Sequence, residues 1–534
     1  MTEKLIIRGG VVADGTGAPL KPADILIEND LIADVGDIRG DRNAIELDAS
    51  GCIVSPGFIN MLSHAYFGLQ RDPRGLSDLY QGVTTEVFGE GISLGPVVGR
   101  APEDMTGVPA GVPGLRGSWP SLRSFLTHLE HQGVGFNVAS FVGAANLRMA
   151  VAGPDPRPLT PSELSAACDL LDRELSDGAL GVGSALIYPP GSYADTSELC
   201  AFAEVLATHD AMHISHMRSE GDRLLEAVEE QISLAQRTGA RAEIYHLKAV
   251  GQRNWHKMAA VLDRIERARG DGVRISANVY PYAAGATALL AAIPPAFRAT
   301  PELLQSHLAS SAGREAIRTA IAVESPEWEN LYALAGGGDG VIVLTGTPAL
   351  DLEGGLTLTA IAEHLGVRDA VDALLAVVNA DPHADAAYFL GDEDNVRLAF
   401  ERPWVSVGSD SDAPSIQDVE AGHPAHPRSF GAFTRVLSRY ARDERRVSIE
   451  EAVRRLTSLP ATSLGLEGRG VVREGAYADL AVFALDELSD RATYLNPGVY
   501  ATGMRHVLVN GTAALRDGQP TGNFGGRALR RART

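Results

Sequence analysis

The segment 55–68, SPGFINMLSHAYFG, reads as a buried strand that runs out into a loop carrying one histidine, His64. A short apolar run bounded by turn-forming residues is the pattern of a strand covered on both faces. Two positions before His64, where a second imidazole would complete a His-x-His metal-binding pair, stands Leu62. The stretch is either half of a metal site or one corner of a site of different design, and the rest of the chain has to decide between them.

Working outward, the same texture recurs. Short apolar runs fall at 57–65 (GFINMLSHA), 84–90 (TTEVFGE), 136–145 (FNVASFVGAA), 178–188 (GALGVGSALIY), 211–217 (AMHISHM), 241–248 (RAEIYHLK), 274–282 (RISANVYPY) and 404–410 (WVSVGSD). Helical stretches separate several of them. SELSAACDLLDREL places Leu164, Cys168, Leu171 and Leu175 on one face, and DRLLEAVEEQISLAQRTG ends on a glycine suited to a C-cap. Strands alternating with helices indicate βα units around a parallel sheet, and eight such strands predict an α/β fold with a (β/α)8 TIM-like barrel. The gap between the last two strands, about 290–400, is far longer than a βα loop requires and predicts an inserted subdomain near the barrel mouth. The first 50 residues instead alternate short strands and turns, and GAYADLAVFAL and HVLVNGTAAL near the end return to that texture. A small flanking β-sandwich built from both termini, 1–56 plus 471–534, with the barrel at 57–470, accounts for both.

Composition narrows the function. The 534 residues are 45% apolar and 22% charged, ordinary for a globular protein, and the net charge of −21 offers no basic footprint for nucleic acid or an anionic membrane. A small-molecule substrate is the expected partner. The basic tail RALRRART is expected to be solvated. Cys52, Cys168 and Cys200 are widely spaced and contain no CxxC, so neither a disulfide framework nor a thiolate zinc site follows. The start, MTEKLIIRGG, has no apolar signal core, and a cytoplasmic location is expected.

Polar residues stand at the C-terminal ends of the predicted strands, the face on which such barrels carry their active sites: His64, Glu90, His216, His246 and Asp410. Imidazole and carboxylate suit zinc, which takes such ligands at about 2.0–2.2 Å, and three protein ligands with an open position make a catalytic site. Glu90, His216 and His246 are the expected ligands and Asp410 the base. Each has a bland alternative: Glu90 lies between two glycines as a turn carboxylate would, Asp410 could cap a helix, and Asp412 competes for its role. His213 is read as a core residue facing away from His216. His128, His131, His256, His307, His364, His383 and His506 are read as surface residues. The coincidence of several such residues on successive strand ends favours a site.

At this point the residues match a family. GGVVADGTGAP, PGFI, GVTTEVFGEGIS, SALIYPPGSYADTSEL, SHMRSEGD, HLKAVG, VYPYAAGAT, GSD, HPRSFGAF and TSLPATSLGLEGRGVVREGAYADLAVF follow one another in order. The chain resembles the N-acyl-D-amino-acid deacylases, or D-aminoacylases, of the amidohydrolase superfamily over nearly its whole length. The resemblance implies a TIM-like barrel flanked by a β-sandwich, zinc in the barrel, and hydrolysis of an N-acyl bond to a D-amino acid. It also implies that His216 and His246 are metal ligands and Asp410 the catalytic acid/base.

The departures are informative. Where the family motif reads PGFIDxHxH, this chain has Asn60 and Leu62, and only His64 remains. Glu90 stands where the family commonly has a cysteine ligand, and Ala144 where it has a histidine. The changes fall together on the side that would hold a second metal, so a mononuclear centre is expected, with Zn2+ first and Mn2+ or Fe2+ favoured by the harder carboxylate. Tyr188 and Tyr282 are candidate donors to the oxyanion, and Arg218, Lys248 and Arg428 candidate partners of a substrate carboxylate. His64 is expected to touch substrate or a group behind the ligands, and is not counted as a metal ligand. Hydrolysis of a cyclic amide, carbamoyl group or D-dipeptide, and a non-catalytic ligand-binding barrel, stay open on the residues alone.

Overall fold

In the computed structural model the described residues are 4–39, 44–106, 115–323 and 328–531. All eight expected barrel strands form, at Phe58–Asn60, Val83–Phe88, Asn137–Ser140 continued by Val142–Gly143, Gly181–Ala185, Met212–His216, Arg241–Ile244, Ile275–Val279 and Val405–Val407. They pair in parallel and in sequence order. The last strand returns to the first through Met61 N–H to Val407 O (3.2 Å) and Asp410 N–H to Leu62 O (2.9 Å).

The interior is filled by Ile59, Leu62, Val87, Phe141, Met212, Ile214 and Tyr245, all buried. This apolar plug is the packed core of a closed barrel rather than a pore. Helices cover the outside. Pro161–Ser176 begins with Thr160 and Glu163 bonded in a capping box, and buries Ala167, Leu170, Leu171 and Leu175, with Leu164 and Cys168 only half-buried at the margin of the stripe. Leu224–Thr238 ends on Gly239 in the left-handed conformation.

The sandwich draws on both ends of the chain. Ile53–Pro56 lies between Val11–Val12 and Leu480–Phe483 in one sheet, which faces a second sheet containing Lys4–Arg8, Asp24–Glu28, Leu31–Gly36 and Ile45–Asp48. Leu5, Ile7, Ile25, Ile27, Val54, Leu480 and Val482 meet between them.

Three expectations are corrected. The insertion starts earlier and ends sooner than 290–400. Gly285–Ala288 already pairs with Asp385–Tyr388 in its antiparallel sheet, and its separate apolar core runs to Leu390, whereas Ala399 and Phe400 of the next helix pack into the barrel's main core. The basic tail is not free, because Arg527, Leu529 and Arg531 make backbone bonds to Val138 and Gly178 under the barrel; its last three residues lie outside the described ones. His506 is buried, with Nε2 3.1 Å from Asp48 O, because it sits on a sheet strand rather than in a loop, and His307 is half-buried. No helix among the described residues is long and apolar enough to cross a membrane.

Candidate metal centre and active site

The chain's turns at the strand ends bring the polar residues together. Glu90 follows the second strand between Gly89 (φ 107°) and Gly91 (φ 68°), where a Cβ would stand 2.3 Å from Phe141 O and 2.6 Å from Ala185 Cβ respectively. Only glycine permits that path, and it swings the carboxylate over the barrel axis. His246 (φ 36°) and Asp410 (φ 53°) are themselves left-handed, a strained conformation for such residues and one that collects at functional sites.

Glu90 joins two clusters. Its Oε1 lies 3.0 Å from His216 Nδ1 and 2.9 Å from His246 Nε2, while its Oε2 lies 3.1 Å from His64 Nε2. His64 Nε2 is also 3.1 Å from Asp410 Oδ1, and Arg428 Nη1 donates to Asp410 Oδ2 at 2.7 Å. In each of the sets Glu90–His216–His246 and His64–Glu90–Asp410, one donor atom per residue falls within 4.8 Å of the others. The first set, one carboxylate oxygen and two imidazole nitrogens converging at the floor of the cavity, fits a divalent ion of the zinc class. In the second, His64 bridges Glu90 and Asp410 and lines the same cavity. Leu62 belongs to the apolar plug and supplies no donor there, and the Arg428 guanidinium supplies a positive charge against Asp410.

The local field follows from these contacts. Burial alone would raise the Glu90 carboxyl, but bonds from His216, His246 and His64 hold it well below its ordinary range. Burial works the same way on Asp410, and Arg428 followed by His64 overcomes it, so this carboxyl too lies below its usual value. Burial would lower His64, yet Asp410 and Glu90 raise it well above an ordinary imidazole. Lys248, despite burial, is raised by Glu220, whose oxygen it meets at 2.6 Å.

A cavity of about 250 Å³ opens above the cluster, and Tyr188, Lys248, Arg428 and Asp410 all line it. Arg218 and Tyr282 do not. Arg218 instead lines an adjoining cavity, where it is held by Glu230 Oε2 (2.9 Å) and the Ala194 carbonyl (2.6 Å). Tyr282 is thrown the other way by a tight turn at Pro281, so that its hydroxyl reaches Pro427 O (3.4 Å) and its ring lies under Arg435. Tyr280, the first residue past the strand, takes the place in the wall, its ring between Lys248 Nζ (5.5 Å from the centroid) and Arg428 Cζ (4.9 Å). Asp412 is paired with His423, outside the cavity. His213 is fully buried against Ser184 Oγ (2.9 Å), as a core histidine. Glu220, Glu329 and Tyr388 also line the site. Glu220 was open to detection, since it lies four residues after His216 in SHMRSEGD, whereas Glu329 and Tyr388 arrive from the insertion with no local signal.

A family model described as the amidohydrolase family matches residues 378–514. The N-acyl-D-glutamate deacylase of Alcaligenes xylosoxydans xylosoxydans is 35% identical over 99% of this chain and 98% of its own length. The chain belongs to the N-acyl-D-amino-acid deacylase family of amidohydrolases. Two solved members of that deacylase family superpose on it. The N-acyl-D-glutamate deacylase from Bordetella bronchiseptica, complexed with zinc and a phosphonate mimic of the tetrahedral intermediate, is 32% identical with a TM-score of 0.81 over 99% of this chain and 100% of that one. A D-aminoacylase described as having a binuclear metal centre, with one-metal activation and second-metal attenuation, is 31% identical with a TM-score of 0.79 over 99% of both chains. The fold described above is therefore that of a deacylase-family enzyme, and in this chain Glu90 belongs to both clusters at the barrel mouth.

Proposed function

We propose that this protein hydrolyses the amide bond of N-acyl-D-amino acids with one divalent ion, zinc first, held by Glu90, His216 and His246. The observation that carries the reading is the convergence of those donors with ionised Asp410 on the wall of one cavity. An ion there supplies Lewis acidity toward the amide carbonyl and a lowered pKa for water. The protein's own residues do the rest. Asp410, held ionised and oriented through both oxygens, takes a proton from water and returns it to the leaving nitrogen. Tyr188 offers a hydroxyl toward the developing oxyanion. Lys248 and Arg428, flanking Tyr280, form the cationic wall for the α-carboxylate. Arg428 on Asp410, with Leu62 withdrawn into the plug, favours one ion over two.

The substrate side chain is proposed to be acidic. A second cavity, of about 700 Å³, adjoins the first across Ile187, Tyr188, Glu329 and Leu331. Of its arginines, Arg218, Arg223 and Arg253 are paired with Glu230, Glu226 and Asp222. Arg298 donates its Nε to Ile293 O (2.7 Å) and has no carboxylate partner among the described residues; burial lowers its pKa. A half-buried guanidinium without a counter-charge is stabilised by an anionic ligand. The glutamate derivatives on which two of the relatives are described as acting carry such a group.

The test is a panel of N-acetyl-D-glutamate, N-acetyl-D-leucine, N-acetyl-L-glutamate, a hydantoin and a D-dipeptide, with metal content measured on the same preparation. N-acetyl-D-glutamate should be turned over best, at one ion per chain, and Arg298→Met should erase its advantage over the leucine derivative. Asp410→Asn should retain the ion and lose about 10²–10⁴-fold in kcat. Preference for the hydantoin, or full activity in the Asp410 variant, would overturn the assignment.

A further inference from the structure

Glu220 is the one carboxylate of the cavity whose two oxygens address both metal-binding histidines, on the faces turned away from Glu90. Its Oε1 lies 3.0 Å from His246 Nδ1, and its Oε2 lies 3.9 Å from His216 Nε2. His216 Nε2 is buried and has no hydrogen-bond partner among the described residues, so Glu220 is the acceptor that stands nearest to it along this line without yet bonding it. Because His216 presents Nδ1 and His246 presents Nε2 to Glu90, a metal on those atoms leaves one N–H on each ring, and both remaining N–H groups face Glu220. Lys248 Nζ also stands 2.8 Å from His246 Nδ1. A protonated Nδ1 cannot accept from it, so in that state Lys248 donates to Glu220 at 2.6 Å and leaves the imidazole proton to the carboxylate.

The loop that carries Glu220 is clamped. Oε1 of Glu329, from the insertion, accepts from Ser219 Oγ (2.6 Å), Glu220 N–H (2.8 Å) and Gly221 N–H (2.9 Å). The side chain is therefore delivered to the histidines by a fixed backbone.

We infer that Glu220 is the positioning residue of the metal centre: one carboxylate that fixes the tautomer and ring orientation of both His216 and His246. A carboxylate behind a ligating histidine raises its basicity and sets which nitrogen binds, and losing such a partner typically costs 10–100-fold in metal affinity. The inference rests on the ligand set proposed above.

The experiment compares wild type, Glu220→Gln, Glu220→Asp and Glu230→Gln. Glu230 pairs with Arg218 and touches neither histidine, so its variant controls for the loss of a loop ion pair. Zinc affinity is measured by chelator competition, with circular dichroism of the metal-free proteins to establish folding, and zinc-loaded samples labelled with 15N-histidine report the imidazole N–H signals. Glu220→Gln should weaken zinc 10–100-fold, and the two protected imidazole N–H signals of wild type should exchange faster or vanish. Glu220→Asp keeps the charge beside Lys248 but withdraws the oxygens; it should fold and still weaken zinc, which settles the matter if the glutamine variant does not fold. Glu230→Gln should bind zinc as wild type does. Wild-type affinity in both folded Glu220 variants, or a loss no greater than in Glu230→Gln, overturns the inference and leaves the ligand set intact. Absence of zinc binding by wild type overturns both.

Discussion

Glu90 and Leu62 are a matched pair of choices. A thiolate presents a single sulfur atom, whereas the Glu90 carboxylate presents one oxygen to His216 and His246 and the other to His64. Leu62, in turn, is 1% exposed and packs with Ile59, Val87 and Met212 beneath the site, and Gly408 leaves room for its Cβ. Asn60 completes the change, donating to Glu86 Oε2 (3.0 Å) and Ser409 Oγ (2.8 Å) and accepting the Ser409 N–H (2.8 Å), so that it fastens the first strand to the residue before Asp410. Leu62 is thus a stability residue at a position that looks like a lost ligand. Leu62→Ala should cost about 2–5 kcal/mol of unfolding free energy, as buried leucine truncations do, with zinc stoichiometry unchanged. Denaturant titration and metal analysis of the same variant check it, and loss of zinc from the folded variant would show that Leu62 acts on the site.

Among the elements, the helices carry their own electrostatics. Glu174, near the end of Pro161–Ser176, accepts the Leu122 N–H (3.0 Å) at the start of Leu122–Gln132 and is buried. Burial pushes its carboxyl up to about 7, against the lowering effect of that bond. The folded chain then holds a proton that the unfolded chain releases near pH 4.5, so this group makes stability fall as pH rises from about 4.5 to 7. Glu174→Gln keeps the acceptor and removes the titration. It should match wild type at pH 5 and exceed it at pH 8 by on the order of 1–3 kcal/mol, read from thermal melts at the two values. Equal melting at both would show the carboxyl to be ordinary. The barrel strands were legible as short apolar runs between turn and helix signals, and five of the eight run out onto a polar residue at the site face, His64, Glu90, His216, His246 and Asp410. What was not legible depends on contacts distant in sequence. Tyr280 and Tyr282 are separated in space by a turn at Pro281 that strand alternation does not describe, Arg218 is claimed by Glu230, and GATA (285–288) becomes a strand only because Asp385–Tyr388 lies beside it.

At the scale of the molecule the two ends of the barrel have different duties. The strand C-termini hold the site. The other end is closed by the chain's last described residues. The Gly526 N–H bonds to Val134 O (3.0 Å), Arg527 O accepts from Val138 N–H (2.9 Å), Leu529 N–H returns to Val138 O (2.8 Å), and Arg531 N–H reaches Gly178 O (3.1 Å). Only glycine fits at 526, where a Cβ would stand 1.9 Å from Phe136 O. Ion pairs from Arg527 to Asp30 (2.7 Å) and from Arg531 to Asp210 (3.3 Å) tie this segment to the sandwich and to the turn before the fifth strand. Net contributions of about 0.5–1.5 kcal/mol per hydrogen bond put the four backbone bonds at roughly 2–6 kcal/mol, nearly all of it remote from the metal centre. Deleting 526–534 should therefore lower the unfolding midpoint clearly while leaving zinc content and kcat at 25 °C within about two-fold of wild type, because the face opposite the active site of such a barrel serves stability rather than chemistry. A folded, zinc-loaded truncation with kcat reduced tenfold or more would show instead that the segment steers the strands carrying the site, and would place part of the catalytic architecture at the wrong end of the barrel for the division of labour argued above.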